Sequence, residues 1–205
     1  MSREDLFVAM SGRRYRVERF WGTLPDGMEL GLVSMLAVGP HGSVAVATRN
    51  GPPVVVFDAD GMFRTAWPEE GVADPHGINF THDGRVILVD RDAHEIQFRT
   101  LEGERVATLG RRHHPAFQAP FNHPTSAFAA KDGDIYVADG YGNNVVHRFA
   151  ADGSLISTWG GAGTGPGEFS TPHSVLVDQL DRVLVVDREN NRVQVFDRDR
   201  AYLDS

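Results

Sequence analysis

Two histidines that each follow a proline, His76 in DPHGI and His173 in TPHSV, are the residues of this chain best suited to metal chemistry. The 205 residues include nine histidines and no cysteine. Disulfides, thiol nucleophiles and thiolate-held metals are therefore excluded, and a metal must be held by imidazole, carboxylate or backbone oxygen. Two imidazoles are one short of the three protein ligands of a catalytic zinc site and two short of a structural one. The same side chains serve equally as channel-lining groups bonded to water and backbone, and the residues alone leave that choice open. Tyr141 in DGYGN, Arg188 in DRENN and Arg49 in ATRNG each come just after a short apolar run. Loops at such strand ends, on one face of a rigid scaffold, are where sites are built. Packing on a neighbouring element competes with function for Tyr141, and a solvated ion pair with Asp187 or Glu189 competes for the arginines. No nucleophile elbow, phosphate loop or persuasive carboxylate pair is present.

These residues sit at fixed places in a repeat. Pro75-His76-Gly77-Ile78, Pro124-Thr125-Ser126-Ala127 and Pro172-His173-Ser174-Val175 align. Each is followed by an apolar stretch, a polar turn and a strand ending in aspartate: VILVD to Asp90, IYVAD to Asp139, VLVVD to Asp187. The period is about 48 residues, within the range of propeller blades. A fainter unit comes first, in which SVAVAT leads to Arg49 in register with Arg91 and Arg188. Asp-Gly turns at 60–61, 83–84, 132–133 and 152–153 separate short β-type runs, and no segment keeps a helical period. The fold predicted is an all-β, NHL-type β-propeller with four blades present, in units 32–70, 73–112, 122–162 and 170–205, as an incomplete part of a six-bladed propeller.

Blades must close into a ring. The segment 15–21, YRVERFW, reads as a lone outer strand, a clasp that would complete the last blade. Four units plus a clasp give a four-bladed ring, whereas six blades need two more units after Ser205. In a six-bladed ring alternate blades lie about 120° apart, so inner-strand histidines from alternate blades converge on the axis, as a catalytic zinc requires. His76 and His173 occupy alternate units, with Thr125 between them. The strand-end Asp90, Asp139 and Asp187 recur too regularly for catalysis and are assigned to turn hydrogen bonding. His113, His114, His123 and His147 are read as loop or surface residues.

The third and fourth units, with DGYGNN, PGEFSTPHSV and VVDRENNRVQ, resemble NHL repeats. More narrowly they are similar to the peptidyl-α-hydroxyglycine α-amidating lyases (peptidylamidoglycolate lyases), six-bladed zinc enzymes. The resemblance covers units two to four, with a weaker fit in the first. It implies that His76 and His173 are two of three zinc ligands, that Tyr141 is catalytic, and that Arg188 and Arg49 are active-site arginines. It also implies a structural calcium on the axis, held in part by the backbone oxygen of Ile78. The family's third zinc histidine and a neighbouring calcium carboxylate have no counterpart here, and Gly142 stands where the family has a cysteine. The implied reaction cleaves a peptide's C-terminal α-hydroxyglycine to an amide and glyoxylate, with zinc on the substrate hydroxyl, Tyr141 taking its proton and arginine holding the carboxylate. The alternative is a noncatalytic propeller that binds a protein or peptide partner. With 41% hydrophobic residues, 20 basic against 28 acidic residues and a net charge of −8, nucleic-acid binding and attachment to anionic membranes are not expected. No signal-peptide core or membrane-length apolar run appears, so we expect a soluble, cytoplasmic protein, with self-association through uncovered blade faces.

Overall fold

The structure, a computed structural model, describes residues 6–19 and 21–205. A hairpin of β1 (Leu6–Met10) and β2 (Arg13–Val17) precedes four sheets, each of four antiparallel strands in sequence order. Blade 1 is β3 (Leu32–Val38), β4 (Val44–Arg49), β5 (Val54–Phe57) and β6 (Phe63–Ala66). Blade 2 is β7 (Pro75–Phe80), β8 (Val86–Asp90), β9 (Glu95–Arg99) and β10 (Arg105–Gly110). Blade 3 is β11 (Ser126–Ala129), β12 (Ile135–Asp139), β13 (Val145–Phe149) and β14 (Leu155–Gly160). Blade 4 is β15 (Pro172–Val177), β16 (Val183–Asp187), β17 (Arg192–Phe196) and β18 (Tyr202–Asp204). Every sheet falls inside its predicted unit. The innermost strands β3, β7, β11 and β15 touch in that order, which is the packing of propeller blades around an axis. Among the described residues no comparable contact joins β15 back to β3. No helix of the described residues is long and apolar enough to cross a membrane.

In blades 2 and 3 both faces of the middle strands are apolar because both are covered. Ile87, Val89, Ile96 and Phe121 pack with Ala127, Val137 and Phe149 between blades 2 and 3, and Tyr136, Val146 and Phe169 pack with Val175, Val185 and Phe196 between blades 3 and 4. The apolar-then-Gly endings of the outer strands have a steric cause. Gly110 and Gly160 have φ of 88° and 111°, and a Cβ on either would come within 2.7 Å of the Phe121 or Phe169 ring that plugs the next interface.

The strand-end aspartates tie each blade together. Asp90, Asp139 and Asp187 are fully buried. Their carboxylates accept the N–H groups of Ala73 and Asp74, of Asn122, and of Ser170, the segments that lead into their own inner strands. A side chain from the third strand joins each: Gln97, His147 and Gln194.

Two expectations are corrected. Segment 15–21 does not clasp blade 4. Tyr15–Val17 lie in β2, Phe20 is outside the described residues, and Trp21 packs on Phe57 with ring centroids 6.0 Å apart. Thr23 then bonds to Gly61 and Phe63 beside blade 1. Blade 4 fills its own outer edge, because a turn capped by Asp197 brings β18 back against β17, which leaves no edge for a clasp. His147 is not a surface residue either. It is fully buried in β13, between Asp139 and Thr158.

Candidate functional site

His76 and His173 sit at the starts of inner strands β7 and β15, which belong to nonadjacent blades, and both point to one place. Their ring centroids are 5.2 Å apart. Blade 3 supplies what lies between them. Tyr141, in the loop after β12, places its Oη 3.1 Å from His76 Nε2 and 3.0 Å from His173 Nε2. Arg188, in the corresponding loop of blade 4, donates from Nη1 to the same oxygen at 3.3 Å and also pairs with Glu189. Two imidazoles and a guanidinium therefore converge on one phenol oxygen.

The tautomer of His76 follows from its other nitrogen. Nδ1 lies 2.8 Å from the carbonyl of Thr125. A carbonyl only accepts, so Nδ1 carries the proton and Nε2 presents its lone pair inward, the form and backbone partner of a metal-binding histidine. Both imidazoles favour the neutral state. Burial depresses the pKa of His76, partly opposed by the Thr125 carbonyl, and the Arg49 and Arg91 guanidiniums depress it further. Burial, then His76 and Arg188, bring His173 down to about 4. Neutral imidazoles are what a metal ion requires. Among the described residues no third His, Asp or Glu completes a metal-holding group, so the residues fit a zinc ion as two of its ligands.

Neither Arg49 nor Ile78 hydrogen-bonds to the Tyr141 oxygen. The Arg49 guanidinium donates to Asp74 at 2.8 Å, and the Ile78 side chain is buried between blades 1 and 2. Arg91 is a residue the sequence reading did not single out. It shares Asp74 with Arg49 and lies 5.7 Å from the Tyr141 ring centroid, while Arg188 lies 5.3 Å from it. The signal was its register with Arg49 and Arg188, one step past the strand end in each repeat. Asp187 pairs with Arg192 and not with Arg188.

Comparison with known proteins fits this architecture. The NHL repeat family matches residues 169–196, from the segment before β15 through β17. Human NHL repeat-containing protein 3 is 33% identical over 200 residues, covering 90% of this chain and 57% of that protein. Peptidyl-α-hydroxyglycine α-amidating lyase 1 of Drosophila melanogaster is 33% identical over 160 residues, covering 72% of this chain and 30% of that one. This chain thus spans about half or less of either relative. The solved virginiamycin B lyase of Staphylococcus aureus superposes with a TM-score of 0.64 at 15% identity, covering 97% of this chain and 61% of that chain, a likeness of fold alone. The matched repeat is blade 4, and its proline start, strand-end aspartate and buried third-strand partner recur in blades 2 and 3, so the chain is an NHL-repeat β-propeller.

Proposed function

We propose that this propeller carries a peptidyl-α-hydroxyglycine lyase site, with His76 and His173 as zinc ligands, Tyr141 as the proton acceptor and Arg188 as the carboxylate grip. One observation carries the reading: His76 Nε2, His173 Nε2 and Arg188 Nη1 all lie within 3.3 Å of Tyr141 Oη. Similarity to amidating lyases across most of the chain supports it. Zinc, when bound, supplies Lewis acidity to the substrate hydroxyl. The protein's own groups do the rest. Tyr141 Oη, acting as the phenolate beside the Arg188 guanidinium, takes the hydroxyl proton, the O–H pair forms the carbonyl of glyoxylate, the C–N pair leaves with the amide nitrogen, and Tyr141 returns the proton to that nitrogen. The planar guanidinium of Arg188 matches the substrate carboxylate, with Arg91 beside the Tyr141 ring as a second positive group. Arg49 acts at one remove, through Asp74. A calcium at the Ile78 backbone oxygen belongs to the same reading and would brace the inner strands.

The test is glyoxylate release from an α-hydroxyglycine peptide with zinc in excess. The chain should release glyoxylate above background, and Tyr141→Phe and His173→Ala should each lose at least about a hundredfold, the scale of a general-base contribution. A wild-type rate equal to that of Tyr141→Phe would sink the reading. The alternative, a noncatalytic propeller that binds a protein or peptide, predicts no glyoxylate release above background in the same assay.

A further inference from the structure

In blades 2 to 4 the inner strand is entered through a residue that precedes its proline, and in blades 3 and 4 that residue is held from both sides. In blade 4, Thr171 donates its N–H to Asn144 Oδ1 of blade 3 at 3.0 Å, and its carbonyl accepts the N–H of Arg188 at 3.2 Å. In blade 3, His123 donates its N–H to His94 Nδ1 of blade 2 at 3.1 Å, and its carbonyl accepts the N–H of Tyr141 at 3.4 Å. Thr171 and His123 share a left-handed φ of 58° and 57°, a conformation uncommon outside glycine that needs such partners. Next to His123, the Asn122 carbonyl accepts the Gly142 N–H at 2.9 Å and Asn122 Nδ2 donates to the Gly142 carbonyl at 3.2 Å. The chain of contacts runs from His94 across the blade boundary to the loop that carries Tyr141.

His94 and Asn144 are the same position of the repeat, each immediately before a third strand, β9 and β13. Asparagine offers Oδ1 as acceptor and histidine offers Nδ1. His94 is 5% exposed, and its ring meets the His123 ring edge-on at 4.3 Å. An Nδ1 that accepts a main-chain N–H carries no proton, so His94 is held as the Nε2–H tautomer.

We propose that His94 is a positioning residue for Tyr141: its Nδ1 latches His123, whose carbonyl, with Asn122, sets the Tyr141–Gly142 loop, and an asparagine can do the same work. The consequence for turnover rests on the lyase reading of Tyr141, whereas the latch itself does not. Protonation at Nδ1 would turn the acceptor into a donor facing an N–H and release the latch. Asp92 on the same loop, His113 after β10, and His123 and Asp139 of blade 3 are the charged and titratable groups that face His94.

The experiment is amide hydrogen exchange on the metal-free protein, comparing wild type with His94→Asn, His94→Leu and Asn144→Ala. His94→Leu should lower protection of His123, Tyr141 and Gly142 at least about tenfold and leave Thr171 and Arg188 unchanged. Asn144→Ala should do the reverse, and His94→Asn should match wild type within about threefold. If His94→Asn exchanges as fast as His94→Leu, the role is packing and the latch is wrong; unchanged protection in His94→Leu overturns it as well. Should His94→Leu not fold, pH decides: wild-type protection of the His123 amide falls only at pH below the ordinary histidine value of about 6.5, because burial and then the His123 ring hold His94 lower, and His94→Asn removes that fall. An identical fall in His94→Asn refutes the latch. None of these readouts involves zinc or turnover, so failure of the lyase reading leaves the outcome legible. If that reading holds, His94→Leu also lowers kcat about tenfold or more with little change in KM, and His94→Asn restores it.

Discussion

Replacing Asp139 by alanine should cost about 3–5 kcal/mol of stability, because the site's loop hangs on a carboxylate that no solvent reaches. Asp139 is fully buried and accepts hydrogen bonds from Asn122 N–H at 3.0 Å, Asn143 Nδ2 at 2.8 Å and His147 Nε2 at 3.2 Å. Alanine strands the Asn122 N–H and His147 Nε2, while Asn143 Nδ2 keeps the carbonyls of Ala116 and Ala119, and each unsatisfied buried donor costs roughly 1–3 kcal/mol. Relaxation and water entry keep the sum below its upper end, which matches the roughly 3–5 kcal/mol lost when one partner of a buried pair is removed. For a chain of this size about 1 kcal/mol moves Tm by roughly 2–4 °C, so a fall of about 6–20 °C is expected in thermal melts followed by circular dichroism. Asp152→Ala, in an exposed turn, is the control and should leave the midpoint in place. A double-mutant cycle with His147→Ala should show coupling of at least about 0.5 kcal/mol. A loss below about 1 kcal/mol for Asp139→Ala would refute the assignment of the recurring aspartates to structure and reopen a role for them in chemistry.

In the metal-free protein, proton NMR of the imidazoles should show His173 titrating near pH 4 and His76 below the ordinary histidine value. Both folded-state values lie below the unfolded one, so the stability they contribute is complete above about pH 6.5 and is lost as pH falls from there toward about 4; a His173 midpoint near 6.5 would show that the ring is not held as described. With two imidazoles as its protein ligands, the chain should hold zinc weakly, so exhaustive dialysis should leave far less than one zinc per chain by elemental analysis and bring glyoxylate release close to background. Stoichiometric zinc and full turnover after dialysis would mean that the site is complete without a third histidine. Leu36 and Val38 on blade 1 and Leu176, Val193 and Leu203 on blade 4, the first and last blades of the described residues, are exposed apolar side chains. Sedimentation velocity should therefore show concentration-dependent association of this chain, relieved by Leu176→Lys with Val193→Lys; a monomer at all concentrations would refute it.

The fold was legible because the features that specify it are local and repeated. A proline-to-proline period of about 48 residues marks three units, and an Asp-Gly turn with the register of Arg49 marks a fainter first one. What failed was a competition between segments. YRVERFW has the pattern of an outer strand, yet β18 takes the edge of blade 4 because a turn closed by Asp197 delivers it there within a few residues, whereas a clasp must cross from the far end of the chain. His147 failed for another reason. Read alone it is one more histidine, but aligned with Gln97 and Gln194 it is the third-strand partner of a buried aspartate, and burial follows.

The site was legible as far as the repeat extends and no further. Alternation of His76, Thr125 and His173 foretold convergence from nonadjacent blades, but the residue between them looked like a gap. Thr125 has a structural role. It is 1% exposed, its Oγ1 donates toward the carbonyls of Ala138 and Pro172, and its own carbonyl fixes the tautomer of His76. A small hydroxyl lets blade 3 close against β15 and leaves the space above it to Tyr141, whose Oη then reaches both neighbouring imidazoles. The contribution of blade 3 to the site therefore comes from the loop after its second strand, through Tyr141, and from the Thr125 main chain. Arg91 stayed hidden because its reach is set by Asp74, a side chain shared with Arg49 from the preceding blade, and a single repeat cannot show a partner that it borrows from its neighbour.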